Sequence, residues 1–461
     1  MLCMLFLENL ISGTLPFCFL TVCGIYLTIK TRLCQITRFS ESIRLTAKAY
    51  RKKDSSKKIT SFKAACTALS ATVGTGNIAG VAGAISIGGA GAIFWMWVSA
   101  TLGMCIKATE ITLAVLYRER HENGPAGGPI YYINNGLGRF FKPLGYIFCL
   151  AAIPAVFCGG NITQTNSAII SFCDSDVKRI IWGIIFALGC FLAINGNINR
   201  IAAITEKIVP SMSLLYIVVS LIVILSNLER LPDCFKMIFE GAFNPKAVTG
   251  GAAGSLTSCI FIGSSRGIFS NEAGLGTSAM AHSVAVDADP KTQGLFGIFE
   301  VFVDTILLCT LTALTILCSG VKINYGVSAS TELVGEALNM TMGAFGNLSL
   351  SVMMCLFAFS SIIGWAVYGQ ISVSYIFGKF GNKFFTILYP LSSILGALFD
   401  SAAVWRMAGV CNGIMLCTNL FSLILLSSKA EPYLKRGKRI DNKKNSKHFK
   451  RKQRCDNNKH C

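Results

Sequence analysis

Uncharged, largely apolar runs long enough to span a membrane recur along this chain of 461 residues. About twenty apolar residues cross the hydrocarbon layer as an α-helix, so each run is long enough for one crossing and the longest for two. Lipid offers no partner to exposed backbone groups, and runs of this length therefore indicate membrane-spanning helices. The longest runs lie at 9–29, 64–106, 143–173, 180–199, 208–228, 247–265, 337–378 and 407–428.

This pattern predicts an all-α integral membrane protein with about eleven transmembrane helices. The first predicted helix stands alone before a basic segment, and ten more follow that segment. The eleven crossings are predicted near 9–29, 62–88, 91–117, 143–173, 179–197, 207–227, 247–286, 292–319, 346–377, 383–402 and 405–427.

The net charge of +19 matters through its distribution. Of the 42 Lys and Arg residues, 11 lie between Lys30 and Lys63, and 13 lie between Lys429 and Cys461. Basic loops favour the cytoplasmic side, so both segments are predicted inside and the N-terminus outside. The tail lacks interleaved aromatic residues and any folded module, which disfavours nucleic acid as its partner and leaves anionic lipid as the alternative.

Composition excludes several classes of protein. Hydrophobic residues make up 52% of the chain and charged residues 14%, too little polar surface to cover a soluble protein of this size. Most of the 19 Cys lie singly in apolar runs without CxxC spacing, which favours small buried side chains over metal or redox sites. The sequence contains no HExxH and has only four His, so no enzyme is predicted.

Two predicted crossings carry dense glycine, at Gly74–Gly80 and at Gly267–Gly276. Glycine costs about 1 kcal/mol per residue in a helix relative to Ala and lets the backbone open toward a ligand. The two segments are the first and sixth of the ten later helices, so two sets of five helices would be inverted relative to each other. Such paired interruptions indicate a transporter site at the bilayer midplane. Close helix packing through small residues is the alternative.

The residues around these breaks suit an ion and a zwitterion. Freed carbonyls accept from an ammonium group, and amides at the start of the following half-helix face a carboxylate. Sodium needs several oxygen ligands, which carbonyls and hydroxyls supply without a buried net charge. The segment Ser70–Asn77 has this character, as do Ser360 and Ser361. A channel is the rival from another class, and it fits a single chain with two half-sites poorly.

Five motifs resemble the bacterial alanine or glycine:sodium symporter family (amino acid carrier proteins). The resemblance implies the LeuT-type fold of five plus five inverted helices, with one extra N-terminal helix. It also implies import of alanine or glycine with co-transported sodium across the plasma (inner) membrane of a bacterium, by a protein expected to be a monomer. The motifs are ALSATVGTGNIAGVAGAI at 68–85, GPAGGPIYYINNGLG at 124–138, GGNITQTNS at 159–167, SRGIFSNEAGLG at 265–276 and FSSIIGWAVYGQ at 359–370.

The resemblance also assigns domains and site residues. It divides the chain into an extra helix at 1–29, a basic cytoplasmic loop at 30–61, a core at 62–428 with repeats 62–227 and 247–428, and a disordered cytoplasmic tail at 429–461. The residues expected at the substrate are Gly74, Thr75, Gly76, Asn77, Gln164, Phe269, Ser361 and Trp365. The residues expected at sodium are Ser70, Val73, Phe357, Ser360 and Ser361, with Val73 and Phe357 offering carbonyls.

Structural roles compete with these assignments. Asn77 could cap the half-helix that follows it. Gln164 could form an interhelical hydrogen bond worth about 0.6 kcal/mol. The serines could bond their own helix, and Trp365 could anchor at the membrane interface.

Ionisable residues inside the predicted spans are functional candidates because they are costly to bury there. Lys107 and Glu110 lie three apart on one helix and are expected to pair with each other. Glu300 is expected near water at the start of its helix, and Asp304 lies deeper. These two acids are the proton carriers in the alternative of a proton-coupled transporter. The sequence also departs from the family pattern at Gln370, where an acid is common, and at Arg406, where a neutral residue is more usual.

Overall fold

The computed structural model describes residues 10–51, 58–121, 124–173, 175–195, 197–244, 255–327, 329–398 and 401–436. Most of the predicted basic tail, the first residues of the chain and the start of the predicted seventh crossing lie outside the described residues. The described chain is almost wholly helical, as predicted. A short antiparallel pair, β1 (Glu119–His121) and β2 (Gly124–Ala126), is the exception within it.

The helices of the first half begin with a wide turn at Leu10–Thr14 that leads into α1. The predicted loop at 30–61 contains α2 and α3 rather than irregular chain throughout. The helices are α1 (Leu15–Lys30), α2 (Cys34–Thr37), α3 (Phe39–Arg51), α4 (Ser61–Thr72), α5 (Val81–Gly88), α6 (Ala92–Tyr117), α7 (Pro129–Tyr132), α8 (Lys142–Phe157), α9 (Thr163–Ile170), α10 (Asp176–Ile194) and α11 (Asn197–Ser226).

The second half opens with α12, which lies between two crossings. Its helices are α12 (Leu231–Phe243), α13 (Leu256–Asn271), α14 (Thr277–Ser283), α15 (Pro290–Val301), α16 (Thr310–Ser319), α17 (Thr331–Met342), α18 (Ala344–Leu398) and α19 (Ser401–Leu434). Wider π-helical turns occur at Gly76–Gly80, Ile133–Leu137, Cys158–Ile162 and Phe302–Cys309, and 3₁₀ turns at Arg139–Phe141 and Leu228–Arg230. Side-chain caps fix several starts, among them Ser255, which accepts from the amide of Ser258 at 3.3 Å.

Seven helical segments of the described chain are long and apolar enough to cross a membrane, and the bent pair Ser61–Thr72 and Gly76–Gly88 makes an eighth. Two predicted crossings, 346–377 and 383–402, fall on the single helix α18, whose backbone leaves helical geometry at Gly378 (φ 63°, ψ −155°). The 16-residue α1 is short for a full crossing. The multi-pass architecture is therefore confirmed, and the count of eleven stays a prediction.

Loops predicted to be cytoplasmic meet at one end of the helix bundle. The Arg118 guanidinium donates to the carbonyls of Ser283, Ala285 and Ala288 at 3.1, 2.5 and 3.0 Å. The buried Arg38 donates to the carbonyls of Tyr433 (2.8 Å) and Leu434 (3.3 Å) at the end of α19. The clustering fits the predicted topology, whose absolute orientation stays a prediction.

The two glycine-rich segments pack together in the middle of the bundle. The helix α13 contacts α5 and the turn Gly76–Gly80, while α14 contacts α4. The interrupted parts of the two segments therefore lie near each other, where a shared site can form.

Candidate functional site

The first break replaces helical hydrogen bonds with a side chain. The helix α4 ends at Thr72, and Val73 takes an extended conformation (φ −76°, ψ 92°). The amide of Gly74 donates to Asn77 Oδ1 at 2.9 Å, after which the chain becomes helical again. The axes before and after the break differ by 52°. The predicted interruption is present, and the side chain of Asn77 bridges it.

Gln164 reaches the same break from the start of α9. Its Oε1 accepts from the Thr75 amide at 3.3 Å and from Thr75 Oγ1 at 2.9 Å. It follows the π-helical turn Cys158–Ile162, a geometry that often occurs at functional sites. Gln164 does form the predicted interhelical hydrogen bond, and that bond goes to the interrupted backbone.

Ser361 faces Gly74 from α18. A Cβ atom at Gly74 would lie 2.5 Å from Ser361 Oγ and 3.2 Å from Gln164 Oε1, so only glycine fits there. The buried Ser361 Oγ has no hydrogen-bond partner among the residues that the structure describes. A Cβ at Gly76 or at Gly80 would meet no atom within 4 Å. The first break thus borders open space and an unsatisfied hydroxyl.

The serines predicted at sodium lie together beside this break. Ser360 Oγ donates to the Ser70 carbonyl at 3.4 Å, and Ser70 Oγ donates to the Thr67 carbonyl at 2.7 Å. A Cβ at Gly364 would lie 2.4 Å from Ser70 Oγ, which shows how closely α18 approaches α4. Val73 and Phe357 are also fully buried, and the Phe357 ring lies 5.5 Å from that of Tyr216.

Trp365 and Phe269, both predicted to contact the substrate, lie in different surroundings. The Trp365 side chain is 4% exposed and covers Gly160, where a Cβ would lie 2.6 Å from the tryptophan Cβ and Cγ. Its ring centroid is 5.5 Å from that of Tyr368. Phe269 is 38% exposed and lines an open pocket between α1, α13 and α19. The structure brings Trp365 close to the helix that carries Gln164, and it places Phe269 toward the N-terminal helix.

A buried carboxylate joins the two breaks. Asp304 accepts from Asn77 Nδ2 at 2.8 Å, from Ser270 Oγ at 2.6 Å and from Thr305 Oγ1 at 2.8 Å. Asn77 belongs to the first broken segment and Ser270 to the second. Sequence reasoning singled out Asp304 only as a candidate proton carrier, and it missed Ser270 because one serine in an apolar helix carries little signal. The contacts now give Asp304 a position at the centre of the site.

The second break spans Glu272–Gly276, and α13 continues as regular helix through the predicted interruption at Gly267. Glu272, Gly274 and Gly276 have positive φ angles of 54°, 86° and 77°. Lys107 Nζ donates to the Asn271 carbonyl at 2.8 Å, and the Gly276 amide donates to Glu110 Oε2 at 3.2 Å. Side chains of α6 therefore hold both ends of this break.

A second layer of buried polar groups supports these side chains. Asn419 Nδ2 donates to the Gly274 carbonyl at 2.8 Å and to Glu110 Oε2 at 2.9 Å, and its Oδ1 accepts from the Tyr132 hydroxyl. Asn419 lies in α19, more than 140 residues from the break. The sequence offered no sign of this role, since an isolated asparagine in an apolar run has many possible partners.

Lys107 and Glu110 do not pair as predicted. Lys107 Nζ lies 3.4 Å from Glu300 Oε2, and all atoms of both side chains are buried. Glu300 also bonds His282 Nε2, while Gln293 Nε2 lies 2.6 Å from His282 Nδ1. The expectation that Glu300 is near water is likewise wrong, because α6, α14 and α15 enclose it. A buried ion needs a close partner, and packing supplies one from another helix.

A model of the sodium:alanine symporter family matches residues 3–451. The chain belongs to this family. It is 37% identical over 412 residues to the sodium/alanine symporter AgcS of Methanococcus maripaludis. This alignment covers 88% of this chain and 90% of that protein. It is 38% identical over 425 residues to an uncharacterized transporter of Haemophilus influenzae, in an alignment that covers 91% of this chain and 92% of that protein. This family member is a secondary transporter, and not an enzyme.

The fold is also that of a solved transporter. The crystal structure of MhsT in complex with L-phenylalanine matches with a TM-score of 0.57 and 11% identity, over 83% of this chain and 94% of that one. Identity at this level shows the fold alone. The predicted LeuT-type architecture is therefore confirmed.

Proposed function

We propose that this symporter-family member imports a small neutral amino acid, alanine or glycine, together with sodium by alternating access. The observation that carries the proposal is the neutral oxygen cluster at the first break. There the buried Ser361 hydroxyl has no partner among the described residues, and Ser70 and Ser360 lie beside it. An inward sodium gradient across the plasma membrane makes the net direction import.

Sodium is the cargo that suits this cluster. The C-terminal end of α4 carries the negative end of the helix dipole and frees carbonyls at Thr72 and Val73. Serine hydroxyls add oxygen ligands without adding a charge. In the proposed site Val73 and Phe357 give carbonyls, and Ser70, Ser360 and Ser361 give hydroxyls. A monovalent cation bound there would bridge α4 to α18.

The amino acid would lie next to the ion, on the open side of the first break. Its carboxylate suits the amides that begin the helical segment Gly76–Gly88. Its ammonium suits freed carbonyls and the Gln164 amide oxygen. Gly74, Thr75, Gly76 and Asn77 form the floor in this proposal, and Trp365 limits the space for the side chain. Phe269 would contribute from the wall formed by α13.

Alternating access follows from this bridge. Sodium binds first and fixes the broken first helix against α18, which shapes the substrate site. Substrate then closes the outer path. A tilt of one group of helices against the other opens the inner path and releases both cargoes.

Uptake of labelled alanine into proteoliposomes, with sodium or an impermeant cation outside, tests the proposal. We expect saturable uptake only with an inward sodium gradient. Ser361→Ala should raise the half-saturating sodium concentration about tenfold, equivalent to about 1.4 kcal/mol of binding free energy. Ser351→Ala is the matched control, because Ser351 is a half-buried serine of the same helix whose hydroxyl donates to the Asn347 carbonyl at 2.9 Å. Sodium-independent uptake by folded protein would reject the sodium site.

Proton coupling is the second candidate, and the burial of Asp304 and Glu300 favours it. Both carboxylates are fully buried, and Asp304 contacts both broken segments. Replacing sodium at fixed pH separates the candidates. Uptake that follows a pH gradient without sodium, and that is lost in Asp304→Asn, would establish proton coupling instead.

A further inference from the structure

Two thiols face each other at the end of the bundle opposite the clustered basic loops. Cys234, in the first turn of α12, and Cys318, in the last turn of α16, have sulfur atoms 3.4 Å apart. Both side chains are free thiols and are buried. The pair nonetheless lies just below the surface, because Asp233, Phe235 and Lys236 are exposed. Closing a 3.4 Å contact to a bonded disulfide needs only small side-chain rotations.

A cation lies beside this pair. Arg230 Nη1 donates to the Cys318 carbonyl at 3.4 Å. The same atom would lie 2.1 Å from a Cβ placed on Gly320, so the guanidinium packs against the end of α16. A neighbouring cation stabilises a thiolate, and the thiolate is the form that attacks a disulfide. The neighbourhood therefore suits thiol–disulfide exchange better than an apolar interior does.

We propose that Cys234 and Cys318 are a modification site at which a disulfide cross-links α12 to the end of α16. The oxidant is a disulfide of a small thiol or of a dithiol protein. One cysteine thiolate attacks that disulfide and releases its first thiol, leaving a mixed disulfide on the chain. The second cysteine, as thiolate, attacks the modified cysteine sulfur and displaces the second thiol. The two cysteines lose two protons and two electrons, and the oxidant gains both.

The predicted topology gives this site an oxidising environment. With the N-terminus outside, α12 and the end of α16 face the cell exterior, where thiols are not kept reduced. A second close pair among the described residues, Cys34 and Cys105, has its sulfur atoms 3.7 Å apart. Cys105 lies near the middle of α6, and both thiols are fully buried. That pair is the internal control.

The test treats the purified full-length chain in detergent with limiting 4,4′-dithiodipyridine and maps the peptides by mass spectrometry. We expect a peptide pair joined through Cys234 and Cys318 that is two hydrogens lighter than the separate peptides. Cys34 and Cys105 should be recovered as free thiols, while the exposed Cys18 should react. Separate pyridylthio adducts on Cys234 and Cys318, or two free thiols there after Cys18 has reacted, would overturn the proposal.

Two variants keep the test decisive. In Cys234→Ser the remaining Cys318 should retain the pyridylthio group, since no second thiol can displace it. Cys318→Ser is the reciprocal variant if the first does not fold. Oxidation should also raise the thermal unfolding midpoint of the unmodified chain by several degrees, because the cross-link closes a long loop. Neither serine variant should show that rise, and a rise in both would assign the stabilisation to another pair of cysteines.

Discussion

At the first break the side chains that replace helical hydrogen-bond partners are neutral, whereas at the second break charged side chains share that role with neutral asparagines. Asn77 and Gln164 bind the amides of Gly74 and Thr75. Lys107 and Glu110 bind the Asn271 carbonyl and the Gly276 amide. Both segments interrupt a membrane helix, but only the second has charged side chains bonded to its backbone.

Packing around the two breaks differs in the same sense. A Cβ at Gly76 or Gly80 would meet only open space. A Cβ at Gly274 would lie 2.9 Å from Leu420 Cδ2, and one at Gly276 would lie 2.2 Å from Pro129 Cγ. The first break is therefore closely packed at Gly74 but open beside Gly76 and Gly80, whereas the second is filled by protein.

This comparison suggests a division of labour within the proposed mechanism. Neutral groups beside open space leave carbonyls and hydroxyls free for an incoming ion and zwitterion. Charged groups in a packed interior bond the backbone of the second broken segment and hold it in place. Asp304, which contacts both segments, would then transmit a shift at one break to the other.

Removing Lys107 should produce the largest effect. Lys107→Met leaves the fully buried Glu300 without its lysine partner, and breaking a buried ion pair costs about 3–5 kcal/mol. We expect a strongly lowered thermal unfolding midpoint in detergent. Lys236→Met is the control, since Lys236 is exposed and its pair with Glu240 is 3.9 Å long. Equal midpoints for the two variants would refute the anchoring role of the second break.

The second largest effect should come from adding a methyl group to a glycine of each break, which should lower stability at the second break only. Gly276→Ala forces a positive φ and a clash with Pro129, at a cost of about 1–3 kcal/mol. Gly80→Ala adds the same methyl group in a helical conformation with free space, so it should be neutral or stabilising. The measurement is the amount of monodisperse protein after a heating series. Comparable losses in both variants would mean that the breaks do not differ in packing.

Asn77→Ala should affect transport more than folding. It removes the bridge across the first break and one of three donors to Asp304, while Ser270 and Thr305 keep their bonds. We expect normal expression with sodium-dependent alanine uptake at least about tenfold lower, or about 1.4 kcal/mol. Asn135→Ala, which removes an exposed bond to Glu119, serves as control. Near-normal uptake would leave Asn77 with a capping role alone.

Trp365→Ala should give the smallest of these effects, a several-fold change in substrate selectivity. The loss of the indole beside Gly160 enlarges the proposed side-chain space, and one methylene in such a pocket is worth about 1–3 kcal/mol. Valine and leucine should then compete with labelled alanine several times better. Trp182→Ala in α10, which removes an indole packed on Phe172, controls for a general loosening of helix packing. Unchanged selectivity in a folded Trp365→Ala protein would take Trp365 out of the pocket.

Much of the first break could be predicted from the sequence, because its chemistry is local. Gly74 and Asn77 lie in one motif, and a glycine-rich stretch with polar residues in an apolar run directly signals an opened helix. Ser360 and Ser361 stood out for the same reason. The second break was predicted at the right helix with the wrong start, since Gly267 packs closely on Ser99 within regular helix instead of opening it.

The sequence by itself determined that this protein crosses the membrane as helices and that two of them are interrupted, because hydropathy and glycine content act over a few neighbouring residues. Only the tertiary structure decided that Lys107 pairs with Glu300, that Asn419 holds Gly274 and that Asp304 joins Asn77 to Ser270. Lipid offers no partner to a buried polar group, so most such groups find one inside the protein. It does not specify which one, and that choice depends on how distant helices pack.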